Sequence, residues 1–156
     1  MSATGRLAEL GLALPSVVPP VAAYQPAVRD GRYVYVSGQL PVVDGVMRAV
    51  GRVGVGPGLV APEVAQECAH ISALNALAAA AGVAGGLDAI ERIVKVVGFV
   101  ASDPSFTGQP MVVNGASELF LQIFGEGGRH ARSAVGVLAL PLDAPVEIEL
   151  VAAIRD

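Results

Sequence analysis

The chain has 156 residues, of which 53% are hydrophobic and only 15% charged, with a formal net charge of −4. This length predicts one domain, residues 1–156, large enough to bury a real core. The acidic balance without a basic, aromatic-interleaved patch argues against nucleic acid as a partner, no uninterrupted apolar run nears the ~18 residues of a membrane span, and Cys68 as the only cysteine excludes an intrachain disulfide.

Two widely separated His and one Cys give no metal-ligand spacing, so no metal is expected. The first ten residues lack the apolar region of a signal peptide, and the expected location is the cytoplasm. Residues 4–11 predict a short helix, with Thr4 as cap and Gly11 as stop, within an N-terminal extension over residues 1–20. A Pro-rich extended stretch follows from Leu14 to Gln25. Tyr24 at its end reads as a packing residue, with ligand contact as the alternative. Residues 27–38 predict a hairpin, because Asp30-Gly31 between alternating apolar residues is a strong turn signal. Ser37-Gly38-Gln39 closes it. Gly38 either lets a ligand approach a backbone N–H or marks a bulge at the strand end. Short strands follow around Asp44-Gly45, and the glycine-rich loop from Gly54 to Leu59 lacks the Lys-Ser/Thr sequel of a phosphate loop.

Residues 61–81 predict the strongest helix. Pro62 fits its first turn, Glu63 and Glu67 suit its N-terminal end, and Gly82 stops it. Val64, Cys68, Ile71, Leu74, Leu77 and Ala81 form its core stripe, which makes Cys68 a small buried hydrophobe and leaves His70 and Asn75 off the stripe. Residues 90–102 read as a central, buried strand. Residues 110–124 predict a second helix with Val112, Leu119, Phe120 and Ile123 as its apolar side and Gly125 at its end. Asn114 faces either a site or solvent. His130 has no acid or Ser partner nearby in the sequence and receives no catalytic role.

Residues 129–152 read as two strands around a Pro/Asp turn. In the first, Arg132, Ala134, Gly136 and Leu138 share one face, and Ser133, Val135, Val137 and Ala139 share a second, which is the expected core face. The small neighbours of Arg132 leave space above the sheet. In the last strand Val146, Ile148, Leu150 and Ala152 are core, so Glu147 and Glu149 point the other way. An Arg fork suits bidentate capture of a carboxylate, and a partly buried Glu suits water activation or proton transfer. Pattern alone favours a plain salt bridge or solvated strand faces, since such pairs are common. The element order predicts an α+β fold, one mixed sheet with two helices packed on one face. The apolar surplus then needs a subunit interface, and a second copy of the same sheet is the economical cover for the bare face.

Tyr24-Gln-Pro-Ala-Val-Arg, Tyr35-Val-Ser37-Gly38-Gln39-Leu-Pro, Asn114, Ala131-Arg132-Ser133-Ala134-Val135 and Leu140-Pro-Leu-Asp-Ala-Pro-Val-Glu147-Ile-Glu149, in this order, resemble the RidA/YjgF family of reactive enamine/imine deaminases. The resemblance spans nearly the whole chain. It implies a chorismate-mutase-like fold, a homotrimer, and clefts between subunits that bind small carboxylates without metal or organic cofactor. It places the carboxylate-binding Arg at Arg132, the water-positioning Glu at Glu147, and the remaining cleft residues at Tyr24, Ser37, Gly38 and Asn114. The implied reaction is hydrolysis of 2-aminoacrylate or 2-imino acids to 2-keto acids and ammonia. A carboxylate-binding sensor without turnover is the alternative, and an endoribonuclease, a role also ascribed to the family, is opposed by the acidic charge. Where the well-studied deaminase branch carries Cys and Glu, this chain has Ala134 and Gly136, and its N-terminal extension and the loop from Gly125 to Arg129 also mark a side branch.

A simple hairpin of the last two strands would hold Arg132 and Glu147 about six residues apart along the ladder, ~20 Å. No small substrate spans that. The expectation is a shared cleft, with Arg132 and Asn114 from one chain and Tyr24, Ser37, Gly38 and Glu147 from its neighbour.

Overall fold

The structure, a computed structural model, describes residues 1–17, 19–20 and 22–155. Both Asp-Gly pairs turn the chain where the sequence places them. Asp30-Gly31 joins β1 (Ala27–Asp30) to β2 (Tyr33–Gln39), with Gly31 at a φ of 58°. Asp44-Gly45 joins β3 (Val42–Val43) to β4 (Val46–Met47), with φ of 51° and 79°. Positive φ at both central residues is the turn whose twist matches a tight hairpin. The remaining strands are β5 (Ile90–Ala101), β6 (Ala131–Val137) and β7 (Val146–Ile154).

β1, β2, β7, β5 and β6 form one sheet in that order. The β5–β6 ladder is parallel and the other three ladders described in this sheet are antiparallel, so the sheet is mixed. The fold is α+β, as the element order predicts. The simple hairpin of the last two strands is not present, because β5 lies between β6 and β7. Residues 138–145 instead pass over the end of β5, where Ala101 N–H donates to the Pro145 carbonyl.

The helices are α1 (Ala3–Glu9), α2 (Pro62–Ala84) and α3 (Gln109–Phe124). The hydroxyl of Ser2, not Thr4, caps α1 by accepting from Gly5 N–H. Thr4 N–H is taken by the Asp88 carboxylate at 2.9 Å. Leu7 is buried in the common core, and Arg6 donates to the Ile123 carbonyl at 3.2 Å, which ties α1 to the end of α3. α2 runs past Gly82 and ends at Gly85, whose φ of 91° supplies the left-handed cap. Its 23 residues are long and apolar enough to cross a membrane, but here its apolar side covers the sheet.

The buried stripe of α2 is rotated from the expected one. Cys68 and Leu77 lie on it, but the rest is small: Ala65, Ala69, Ser72, Ala73, Ala76 and Ala80. Val64, Leu74 and Ala81 are only partly buried against the core. Small side chains let the backbones come close. A Cβ on Gly115 of α3 would collide with the Gln66 carbonyl of α2, and one on Gly98 of β5 would collide with Val113 of α3. The larger core residues, Phe120, Leu77, Ile93 and Ile148, fill the space around these contacts. Each such burial stabilises by about 1.5–3 kcal/mol.

α2 and α3 lie on one face of the sheet. The register Gly98↔Ala134, with Gly98 beneath Val113, puts Arg132, Ala134 and Gly136 on that helix-covered face. The expected assignment of faces in β6 is therefore reversed. Val135 is exposed on the bare face beside Phe99, while Ala134 packs against the core. The helices approach so closely that the covered face takes the small residues and leaves the larger one outside. In β7 the expected alternation holds: Val146, Ile148, Leu150 and Ala152 are buried, and Glu147 and Glu149 lie on the bare face.

Replacing Gly115 with Ala sets two effects against each other. Ala is the better helix former by about 1 kcal/mol. The collision is with a helix backbone that cannot yield, and overpacking of this kind costs about 1–3 kcal/mol. Gly115→Ala is expected to lower the unfolding temperature by several degrees, measured by calorimetry.

Candidate functional site

The six candidate residues fall into two groups on opposite faces of the sheet. The first lies under α3. Arg132 pairs with Val96 across the parallel ladder and points at the helix. Its Nη1 donates to Asn114 Oδ1 at 2.8 Å and to Ser117 Oγ at 3.2 Å. Asn114 and Ser117 stand one turn apart on α3, so both face the same strand. Arg132 is half-buried, and among the described residues it has no carboxylate partner.

His130 belongs to this group, although the sequence shows it no Ser partner. Its Nε2 lies 3.0 Å from Ser117 Oγ, and its Nδ1 lies 2.6 Å from the Gly128 carbonyl. Its ring meets Phe120 edge to face, with centroids 5.7 Å apart and planes at 82°. Burial, with the Arg132 charge as a lesser contributor, pulls its pKa down despite the Gly128 carbonyl, so the ring favours its neutral form. Ser117 and His130 are thirteen positions apart in sequence. Only the return of the chain from α3 into β6 brings them together.

The second group lies at the β2–β7 ladder. Pairing runs from Val36↔Leu150 to Gln39↔Ile148, so β2 carries one extra residue and bulges at Ser37-Gly38. The Glu147 side chain lies across the bulge. A Cβ on Gly38 would fall inside its carboxylate, so the glycine is required by close approach, here to a side chain. Ser37 Oγ donates to the Gln25 carbonyl at 2.7 Å, which fastens the segment carrying Tyr24 beside the bulge. Tyr24 itself is 57% exposed. Asn75, off the expected stripe of α2, donates to the Leu40 and Val42 carbonyls and holds the chain leaving the bulge.

Burial raises the pKa of Glu147, and the neighbouring charge of Glu149 raises it further. A carboxylate tuned upward is suited to take a proton from water near neutral pH. Cys68 is buried in α2, and burial pushes its thiol up to about 11, which suits packing and not nucleophilic attack. Among the described residues no three His, Cys, Asp or Glu side chains gather into a metal-binding cluster.

Between the groups stand two strand spacings and three residues along β5, from Val96 opposite Arg132 to Phe99 opposite Glu147. That is about 14 Å between backbones, with the side chains on opposite faces. No small molecule touches both within one chain.

A family model described as "YjgF/chorismate mutase-like, putative endoribonuclease" matches residues 4–154. The chain is 41% identical over 152 residues to protein TCP17 of Trypanosoma cruzi, covering 94% of this chain and 93% of that one. Atu1372 of Agrobacterium tumefaciens, a crystal structure of unknown function, is 44% identical with a TM-score of 0.87, covering 98% of this chain and 92% of that one. The crystal structure of E. coli TdcF with bound serine is 26% identical with a TM-score of 0.60, covering 90% and 94%.

The raised pKa of Glu147 has a consequence for stability. The native chain holds this proton more tightly than the unfolded chain, so ionisation at neutral pH costs stability. That cost fades as the pH falls through the raised value. Glu147→Gln is expected to unfold at higher denaturant than the parent at pH 7, with the difference vanishing below the ordinary glutamate range. Chemical denaturation across pH measures it.

Proposed function

The chain belongs to the YjgF/chorismate-mutase-like family, and on that premise we propose that it hydrolyses reactive enamines and imines of small carboxylic acids, such as 2-aminoacrylate and 2-imino acids, to 2-keto acids and ammonia. The observation that carries the reading is the pair of unneutralised groups. Arg132 is held by Asn114 and Ser117 without a carboxylate partner among the described residues, and Glu147 is half-buried with a raised pKa. A cation that grips a carboxylate and a base that activates water are the two things this hydrolysis needs. The serine bound in TdcF supports a small amino carboxylate as the ligand type.

In the proposed step Arg132 holds the substrate carboxylate. Glu147 removes a proton from water as the oxygen bonds to the C=N carbon, and the C=N pair moves to nitrogen. Glu147 returns the proton to that nitrogen. Glu147 then takes the remaining hydroxyl proton and passes it to the nitrogen, the C–N bond breaks with its electron pair on nitrogen, ammonia leaves, and the oxygen keeps the carbon as a ketone. An enamine enters after protonation at its β-carbon. The net charge of −4 and the two glutamates of the second group oppose an RNA backbone as substrate.

The proposed assembly is a homotrimer in which Arg132 of one chain meets Glu147 of the next. Supporting it is the bare sheet face, where Val28, Tyr33, Tyr35 and Val135 are exposed around the second group. A surface this apolar suits a large obligate interface.

Three measurements test these readings. With 2-aminoacrylate generated in situ, loss of the imine is expected to accelerate with the parent protein and not with Arg132→Ala. Keto-acid binding without turnover would select the sensor, and RNA cleavage the nuclease. Arg132→Lys keeps charge and loses the fork, so keto-acid affinity is expected to fall by about 1.5–3 kcal/mol. Inactive Arg132→Ala and Glu147→Ala chains, refolded together, are expected to regain part of the activity. No recovery in verified mixed trimers would refute a cleft that joins Arg132 of one chain to Glu147 of another.

A further inference from the structure

We propose that Ser117 and His130 are positioning residues for Arg132, joined to it in a one-way hydrogen-bond relay that commits one corner of the guanidinium to the protein and reserves its Nε/Nη2 edge for the ligand carboxylate. The inference rests on the reading of Arg132 as a carboxylate anchor.

The directions follow from donor chemistry. A guanidinium only donates. Both Nη1 hydrogens are used, one on Asn114 Oδ1 at 2.8 Å and one on Ser117 Oγ at 3.2 Å. The Ser117 oxygen therefore accepts from Arg132, and its own hydrogen is free to go elsewhere. Its neighbour is His130 Nε2 at 3.0 Å, which must offer a lone pair to receive it. The ring proton then sits on Nδ1, where the Gly128 carbonyl at 2.6 Å accepts it. Each link dictates the next, and the chain ends on a backbone atom. The reverse direction would place an imidazole N–H and a guanidinium N–H on one hydroxyl, and would leave an unprotonated Nδ1 facing a carbonyl lone pair.

The ring is fixed as well as polarised. Phe120 packs against it edge to face, and Gly128 leaves no room for a side chain, since a Cβ there would collide with the Phe120 carbonyl. The Gly125–Gly128 turn is thus pressed onto the end of α3 and presents its last carbonyl to His130. The lowered pKa of His130 agrees with a neutral ring.

The arrangement has a stereochemical result. A carboxylate can approach an Arg end-on, across Nη1 and Nη2, or side-on, across Nε and Nη2. With both Nη1 hydrogens committed, side-on capture is the geometry left, which fixes the plane of the bound carboxylate relative to the guanidinium.

Five variants and one spectrum test this, with pyruvate as the probe. Ser117→Ala and His130→Phe are each expected to weaken pyruvate binding about tenfold and to raise KM more than they lower kcat. Ser117→Thr keeps the hydroxyl and His130→Gln keeps an acceptor, and both are expected to stay within about threefold of the parent. Phe preserves the ring contact with Phe120 and lacks the acceptor, whereas Gln does the opposite. A His130 that only fills space would tolerate Phe and suffer from Gln, and that outcome overturns the relay. Nitrogen NMR of the parent protein needs no variant: the His130 ring is expected to carry its proton on Nδ1 at neutral pH, and a proton on Nε2 overturns the proposal. Arg132→Ala is run alongside. Lost binding there with intact binding in both Ser117→Ala and His130→Phe refutes the relay alone, whereas intact binding in Arg132→Ala refutes the anchor and the relay's purpose with it.

Discussion

The parallel ladder between β5 and β6, running from Lys95↔Ala131 to Ala101↔Val137, fixes which residues of β6 face the helices. A shift of one residue would turn every side chain of the strand over. Arg132 would then stand on the bare face, away from Asn114 and Ser117, and Val135 would be driven into the space beneath α3 where Ala134 now fits. The register is held by volume: Gly98 lies directly beneath Val113 and beside Ala134, and no larger residue is accommodated there. The placement of the candidate anchor is thus a packing result, decided by small residues that have no polar chemistry of their own.

The same closeness accounts for the departure at Gly136. A Cβ there would meet Gln109 Nε2 at 2.8 Å and Ser102 Oγ at 3.1 Å. Gln109 donates to Ser102 and to the Phe106 carbonyl, so this corner is already filled by a closed polar set. A longer side chain at 136 would need both Gln109 and Ser102 to move.

Much of this was legible in the chain. Asp30-Gly31 and Asp44-Gly45 specify their turns through a local requirement for positive φ, which a sequence displays directly. Pairing of Leu and Ile at alternate positions of β7 likewise gave its faces. β6 was not legible, because alternation separates two faces without saying which is covered, and size misled: Ser133, Val135 and Val137 look more like core than Arg132, Ala134 and Gly136. The outcome depends on how near α3 lies, which is set by Gly98 and Gly115 on other elements. The end of α2 went the same way. Gly82 is tolerated inside the helix, and the chain stops only at Gly85, where a left-handed residue takes the final turn. Ser117 and His130 could not be paired from sequence, since nothing local relates a helix position to a strand thirteen residues on.

Separation of the two charged groups has its own logic. Had Arg132 and Glu147 shared one face at neighbouring positions, they would have formed an ion pair, and each would have answered the other's charge. The sheet prevents it by placing them on opposite sides with β5 between. Among the described residues Arg132 then meets neutral acceptors, Asn114 and Ser117, which orient it without cancelling it. Glu147 lies across Gly38, where burial first and the like charge of Glu149 second raise its proton affinity without satisfying it. Each group stays electrostatically unspent inside its own chain. A small carboxylate bound between Arg132 of one copy and Glu147 of another would be the first partner to bring both into one site, so that ligand charge, and not a salt bridge within the fold, completes the constellation.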